Sequence, residues 1–193
     1  QPEPLPTSIS KTGSYAYNST TGNAEVTWTI IANKENVSVN DGQVVDTIAN
    51  EMEFIPGSVN INGAAANASN YVYDSGTRNL TYNFPTLITT QQTITFKTKV
   101  NDSEFTKVNS QDTNVIEKNT ATLNHDNKFI ISNEATVSIP VKFIIKTGSF
   151  NSTTKRIDWT IVVNQNGVTI PNAVITDILP AGLTLSPGSV LLD

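Results

Sequence analysis

The chain has no cysteine, one histidine and one methionine in 193 residues. Without cysteine there can be no disulfide framework, no thiol nucleophile and no thiolate metal site. The absence fits an exported protein that stabilises itself without disulfides. The lone histidine, His125, lies among Asn124, Asp126 and Asn127. It has no His or Cys companion for a metal or for catalysis, so it is expected in a surface turn. Positive charge is also scarce, with 12 Lys and Arg against 17 Asp and Glu, a net charge of −5. That balance does not suit nucleic-acid binding, which needs a basic stripe. No apolar run is long enough to span a bilayer. No signal peptide is visible, and a fragment of a larger precursor would have lost one. Neither Asp41-Gly42 nor Asp74-Ser75-Gly76 has the spacing of a calcium loop, so neither a metal nor a cofactor is expected.

What is present is a repeat. The first copy runs Lys11-Thr12-Gly13-Ser14, Asn18-Ser19-Thr20-Thr21, Trp28-Thr29-Ile30, Asn33, Asp46 and Pro56-Gly57-Ser58-Val59. The second runs Lys146-Thr147-Gly148-Ser149, Asn151-Ser152-Thr153-Thr154, Trp159-Thr160-Ile161, Asn164, Asp177 and Pro187-Gly188-Ser189-Val190. The offset is 131 residues at the tryptophan, the aspartate and the Pro-Gly-Ser-Val, and 135 at the lysine. The second copy therefore has four fewer residues in its first hairpin. A fixed offset over many landmarks signals a tandem array. A second unit of equal length would run past Asp193, so the chain reads as a fragment: one whole unit and the front of another.

Asn, Thr, Ser, Val and Ile dominate, which favours strands and turns. Alternating patterns predict strands at Ser8–Thr12, Glu25–Asn33, Gly42–Ile48, Phe54–Ile61, Tyr71–Tyr73, Asn79–Phe84, Thr93–Val100, Ile116–Asn124 and Ile130–Ile139. Asx and glycine turns separate them. The polar stretch Asp102–Thr113 reads as a loop or at most one helical turn. The fold class is all-β, an immunoglobulin-like antiparallel β-sandwich. Residues 1–6, with three prolines, read as a linker, 7–140 as a complete unit and 141–193 as the N-terminal part of a second. The apolar run Val141–Ile145 links the units closely, and its shortness limits bending between them. The second unit lacks the later strands and leaves edges open to pairing with another chain. Trp28 and Trp159 are expected in the core. Tyr15 and Tyr17 are candidate ligand contacts or ordinary exposed hairpin residues.

The period-2 rule singles out three polar residues. Lys11 shares a face with Ile9, Asp46 with Val44 and Ile48, and Asn119 with Ala121 and Leu123. Burying such groups singly would be very costly, so they are expected together. Desolvation lowers a lysine pKa and raises that of an aspartate. A neutral amine can attack the carboxamide, with Asp46 as general acid and base, leaving a Lys–Asn isopeptide bond and releasing ammonia. Asn133 is the alternative acceptor, since its parity matches Ile131 and Val137.

The series Lys-Thr-Gly, Trp-Thr-Ile-X-X-Asn, Val-X-Asp-X-Ile/Leu and Pro-Gly-Ser-Val resembles the collagen-adhesin-type domains of Gram-positive surface proteins. The resemblance implies immunoglobulin-like modules with an autocatalytic cross-link, falling here on Lys11, Asp46 and Asn119. Lys146 and Asp177 match in the second unit, which has no late-strand Asn. The implied role is a structural or adhesive module of a cell-wall-anchored, extracellular protein, a stalk unit stiffened by the bond. A head that grips host matrix such as collagen is the alternative. The implied partners are a collagen-like matrix protein and adjacent repeats. No enzymatic turnover is expected beyond the single self-reaction. A polysaccharide-active enzyme would need paired carboxylates in a cleft, and the acidic residues are scattered.

Overall fold

The computed structural model describes residues 7–108 and 113–192. The proline-rich lead at residues 1–6 lies outside the described residues. The strands are β1 Ile9–Asn18, β2 Asn23–Ala32, β3 Gln43–Thr47, β4 Met52–Phe54, β5 Asn60–Ile61, β6 Ala64–Ala65, β7 Tyr71–Asp74, β8 Asn79–Asn83 and β9 Gln92–Val100. A short helix α1, Asp102–Thr106, follows, and then β10 Asn114–Asn119, β11 Thr122–His125, β12 Lys128–Ile131, β13 Ala135–Pro140, β14 Ile144–Asn151 and β15 Arg156–Val163.

One sheet has the order β1-β2-β9-β5-β6, with β4 also on β9; the other has the order β12-β11-β3-β8-β7. Every pairing is antiparallel. The architecture is an antiparallel β-sandwich of immunoglobulin type. Strands β10 and β13 pair with each other and close the side next to β1, where Val137 faces Gly13. The core follows the alternation of the sequence. Val26, Trp28, Ile30 and Ala32 of β2 and Ile94, Phe96 and Val100 of β9 point inward from one sheet. Val44, Leu80, Tyr82 and Leu123 meet them from the other. Trp28 Nε1 donates to Thr98 Oγ1 at 3.0 Å, which satisfies the one polar atom of a fully buried indole.

Three expected strands are each two. Pro56 and Gly57, the latter with φ +75°, split Phe54–Ile61 into β4 and β5. Ile116–Asn124 breaks at Thr120–Ala121, where the chain leaves the β10–β13 pair and joins β3. Ile130–Ile139 breaks at Ser132–Glu134, between β12 and β13. The stretch after Asn101 makes the single helical turn α1, anchored by buried Phe105.

Two expectations are corrected. His125 is buried at the end of β11 and does not sit in a surface turn. The turn is Asp126-Asn127, with φ +46° and +60°. These are the values of a two-residue hairpin turn, so the strand continues to His125 in the inward parity of Ala121 and Leu123. Trp159 is 42% exposed, whereas Trp28 is fully buried. Both lie opposite the glycine of the repeat, Gly13↔Trp28 and Gly148↔Trp159. β9 covers Trp28 with Phe96 and Thr98, whereas β14 and β15 pair only with each other among the described residues.

Candidate functional site

The structure brings Lys11, Asp46 and Asn119 together between the two sheets. Lys11 enters from β1, Asp46 from β3 and Asn119 from the end of β10. All three are buried. Lys11 Nζ hydrogen-bonds Asp46 Oδ2, and Asn119 Nδ2 donates to Asp46 Oδ1 at 2.8 Å. The carboxyl group therefore bridges the amine and the carboxamide, one oxygen to each. Lys11 Nζ also approaches the Thr120 carbonyl at 3.5 Å.

The walls of the site are aromatic. Lys11 Nζ stands 4.9 Å from the Trp28 ring centre and 5.1 Å from that of Phe96. Burial holds the Lys11 amine below its ordinary range, against the opposing pull of Asp46. Burial likewise pushes the Asp46 carboxyl up, opposed by Lys11 and by the Asn119 hydrogen bond. Both shifts favour the uncharged forms, a free amine beside a carboxylic acid. The ring faces add a cation–π attraction only while the amine is charged.

Asn133 is also close to Lys11, but through the backbone. Its Oδ1 accepts from Lys11 N at 3.0 Å and its Nδ2 donates to Lys11 O at 2.9 Å. Asn133 lies outside the strands and is exposed, because the break after β12 ends the alternation that aligned it with Val137. Ser132 next to it accepts from Ala121 N at 3.0 Å, fixing the crossover just after Asn119. Sequence reasoning missed this clamp and the Phe96 wall. For the clamp, the Ser-Asn pair just ahead of β13 was the available signal. No group of His, Cys, Asp and Glu among the described residues could hold a metal ion.

In the second copy Lys146 Nζ reaches Asp177 Oδ1 and Oδ2 at 2.6 and 2.8 Å and lies 4.3 Å from the Trp159 ring centre. Lysine, aspartate and tryptophan thus repeat the relation of Lys11, Asp46 and Trp28. The pair is about one-third exposed, and among the described residues Asp177 takes hydrogen bonds from Lys146 and from no carboxamide.

Residues 141–193 match the family model of the collagen binding domain. The resemblance to collagen-adhesin-type domains stands on that match. The matched stretch holds Lys146, Trp159 and Asp177. No curated protein matches the chain. Solved structures that resemble it are Gram-positive pilins and adhesins. The major pilin subunit BcpA of Bacillus cereus is 17% identical, with a TM-score of 0.47 over 79% of this chain and 45% of that one. The N-terminal domain of the Streptococcus gordonii adhesin Sgo0707 is 15% identical, with a TM-score of 0.48 over 68% and 32%. The full-length major pilin SpaD from Corynebacterium diphtheriae is 14% identical, with a TM-score of 0.47 over 78% and 39%. The chain spans less than half the length of each.

A separate acidic group lies beside α1. Glu117, buried on β10, faces Glu104, Glu51 and Lys107. Burial and the two neighbouring carboxylates raise its pKa to about 7, and Lys107 opposes them. The folded protein therefore holds this proton more tightly than the unfolded chain. The resulting stability is full below pH about 4.5 and is lost as pH rises through about 7. Glu117→Gln is expected to flatten denaturant midpoints between pH 5 and 8 and to stabilise the protein above pH 7 by roughly 1–3 kcal/mol. An unchanged pH profile in this variant would contradict the assignment.

Proposed function

We propose that this chain is a structural module of a surface protein anchored to a Gram-positive cell wall, a stalk unit stiffened by an isopeptide bond between Lys11 and Asn119. The observation that carries the reading is the Asp46 carboxyl group bridging a buried lysine amine and a buried carboxamide. In this mechanism the neutral Lys11 amine attacks Asn119 Cγ. Asp46 Oδ2 takes a proton from the attacking nitrogen, and Asp46 Oδ1 delivers one to the leaving Nδ2. One C–N bond forms, one breaks, and ammonia leaves. A half-turn of the Asn119 amide would instead let protonated Asp46 polarise its carbonyl. Asn119 is favoured over Asn133 because the Asn133 amide is already held by the Lys11 backbone.

The reading divides the chain into a linker at 1–6, a complete unit at 7–140 and the front of a second unit at 141–193, with Lys146 and Asp177 as its equivalents of Lys11 and Asp46. A bond from Lys11 to Asn119 would keep the strands between them from extending under load, as a unit in series between a cell wall and a distal domain requires. The working location is then extracellular, and the partners are neighbouring units. The second reading is a collagen-gripping head, favoured by the description of the family matched at 141–193.

Single-molecule stretching between the termini tests the stalk reading. A chain cross-linked between residues 11 and 119 releases about 380 Å less contour length than the linear chain, at roughly 3.5 Å per residue. Full extension would overturn it. Saturable binding of the protein to immobilised collagen would favour the head.

A further inference from the structure

The loop after β15 is docked on the sandwich by an arrangement that its counterpart after β2 lacks. Within the loop, Asn164 closes on Val168 by two bonds: its Oδ1 accepts from Val168 N at 3.0 Å and its Nδ2 donates to Val168 O at 2.8 Å. Asn33 does the same to Val37, at 3.1 and 2.8 Å. The third residue after each asparagine has a left-handed backbone, φ +67° at Gly167 and φ +57° at Asn36. The two loops are therefore one design in two settings.

Their surroundings differ. Asn166 is buried; its Oδ1 accepts from Lys142 N at 2.7 Å and its Nδ2 donates to Pro140 O at 2.8 Å. The Tyr15 side chain of β1 stands beside it: burial pushes the Tyr15 phenol up, and the Asn166 side chain opposes that shift. Val168 is 3% exposed and joins the hydrophobic core, whereas Val37 is only partly buried. Thr169 N donates to Asp102 Oδ2 at the start of α1, at 2.9 Å, which holds the Asp102 carboxyl below its usual range. Gly167 packs on the turn of the β1–β2 hairpin. A Cβ at 167 would stand 2.9 Å from Tyr17 Cε2 and would overlap the Gly22 carbonyl oxygen. That oxygen belongs to the backbone and has no rotamer by which to yield.

We propose that the loop Asn164–Thr169 locks the β14–β15 hairpin onto the end of the preceding sandwich, and that the missing side chain at Gly167 decides whether such a loop docks. The receiving surface is Tyr15, Tyr17, Gly22 and Asp102. This assigns the two hairpin tyrosines to a joint within the chain. The first loop carries Asn36 at the deciding position, and its Oδ1 accepts from Gln91 N at 2.7 Å. That loop is thereby excluded from docking on another unit in the same way. The role of the lock in a tandem array rests on the two-unit division proposed above; the contact itself does not.

Amide hydrogen exchange on the whole protein separates the lock from the fold of its loop. The Val168 amide bonds within the loop, whereas the Thr169 amide bonds across the joint. Gly167→Asn keeps a residue that tolerates left-handed backbone and adds only the side chain. It is expected to speed exchange at Thr169 by about tenfold or more and to leave Val168 unchanged. Asn36→Gly is expected to change neither. Unchanged protection at Thr169 in Gly167→Asn would overturn the proposal, as would a wild-type Thr169 amide that exchanges as fast as a free one. Peptide mapping of the same samples for the Lys11–Asn119 bond reports on the cross-link independently, so either reading can fail alone.

Discussion

Asn119→Ala is expected to yield a protein that releases no ammonia at this site, contains no branched peptide and is less stable by roughly 4–5 kcal/mol. The figure follows from chain entropy. A bond from residue 11 to residue 119 closes a loop of roughly 109 residues, and in that model a loop of about 100 residues gives about 4.7 kcal/mol. Asn119→Ala is the cleanest single change, because it removes the acceptor and leaves Lys11 beside Asp46. Lys11→Ala also removes the bond, but it strands a carboxyl group in an apolar site and adds that cost. Asp46→Ala tests a different part of the mechanism. It keeps both bonding partners and removes the proton carrier, so its expected outcome is an intact amine and amide, still adjacent and unjoined. Thermal or denaturant unfolding of the three variants, each paired with its peptide map, checks the prediction. Equal stability of Asn119→Ala and wild type would contradict it.

Trp28→Ala is expected to cost about 3–5 kcal/mol, whereas Trp159→Ala costs about 1 kcal/mol or less. The two residues occupy the same place in the repeat. Trp28 is completely enclosed and bonded to Thr98, and it forms one wall beside Lys11. Its removal leaves a cavity and admits water to the amine, so slower or incomplete loss of ammonia is expected along with the lost stability. Trp159 keeps two-fifths of its surface in solvent. Denaturant midpoints compared between the two variants check the contrast. A cost for Trp159→Ala equal to that for Trp28→Ala would show that the second hairpin has a cover of its own.

The same contrast marks what the sequence could reveal. Ile9 and Lys11, and Val44 and Asp46, alternate within regular strands, so period 2 was enough to place Lys11 and Asp46 inward. Asn119 shares the buried parity of Val115 within β10, and its match to Ala121 and Leu123 holds across the break at Thr120–Ala121, where the chain changes partner. Parity is not secured where a strand ends. Asn133 was aligned with Val137 across a segment that is not a strand, and it faces the Lys11 backbone. His125 was taken for a turn residue because its neighbours are Asn and Asp; the hairpin turn needs only Asp126 and Asn127. Burial of a repeated residue is not a property of the repeat. Trp28 is buried by Phe96 and Thr98, some 70 residues away, and the second copy has no such cover among the described residues. The docking of Gly167 on Gly22 was likewise hidden, since it joins two turns about 145 residues apart.

The central claim is the bond itself, and a tryptic digest read by tandem mass spectrometry tests it most directly. Intact mass is not enough, because cyclisation of Gln1 or succinimide formation at Asn62-Gly63 or Asn166-Gly167 also removes ammonia. The account predicts one branched peptide joining Lys11 to Asn119, absent from Asp46→Ala. Linear peptides alone, with Lys11 unmodified, would contradict it.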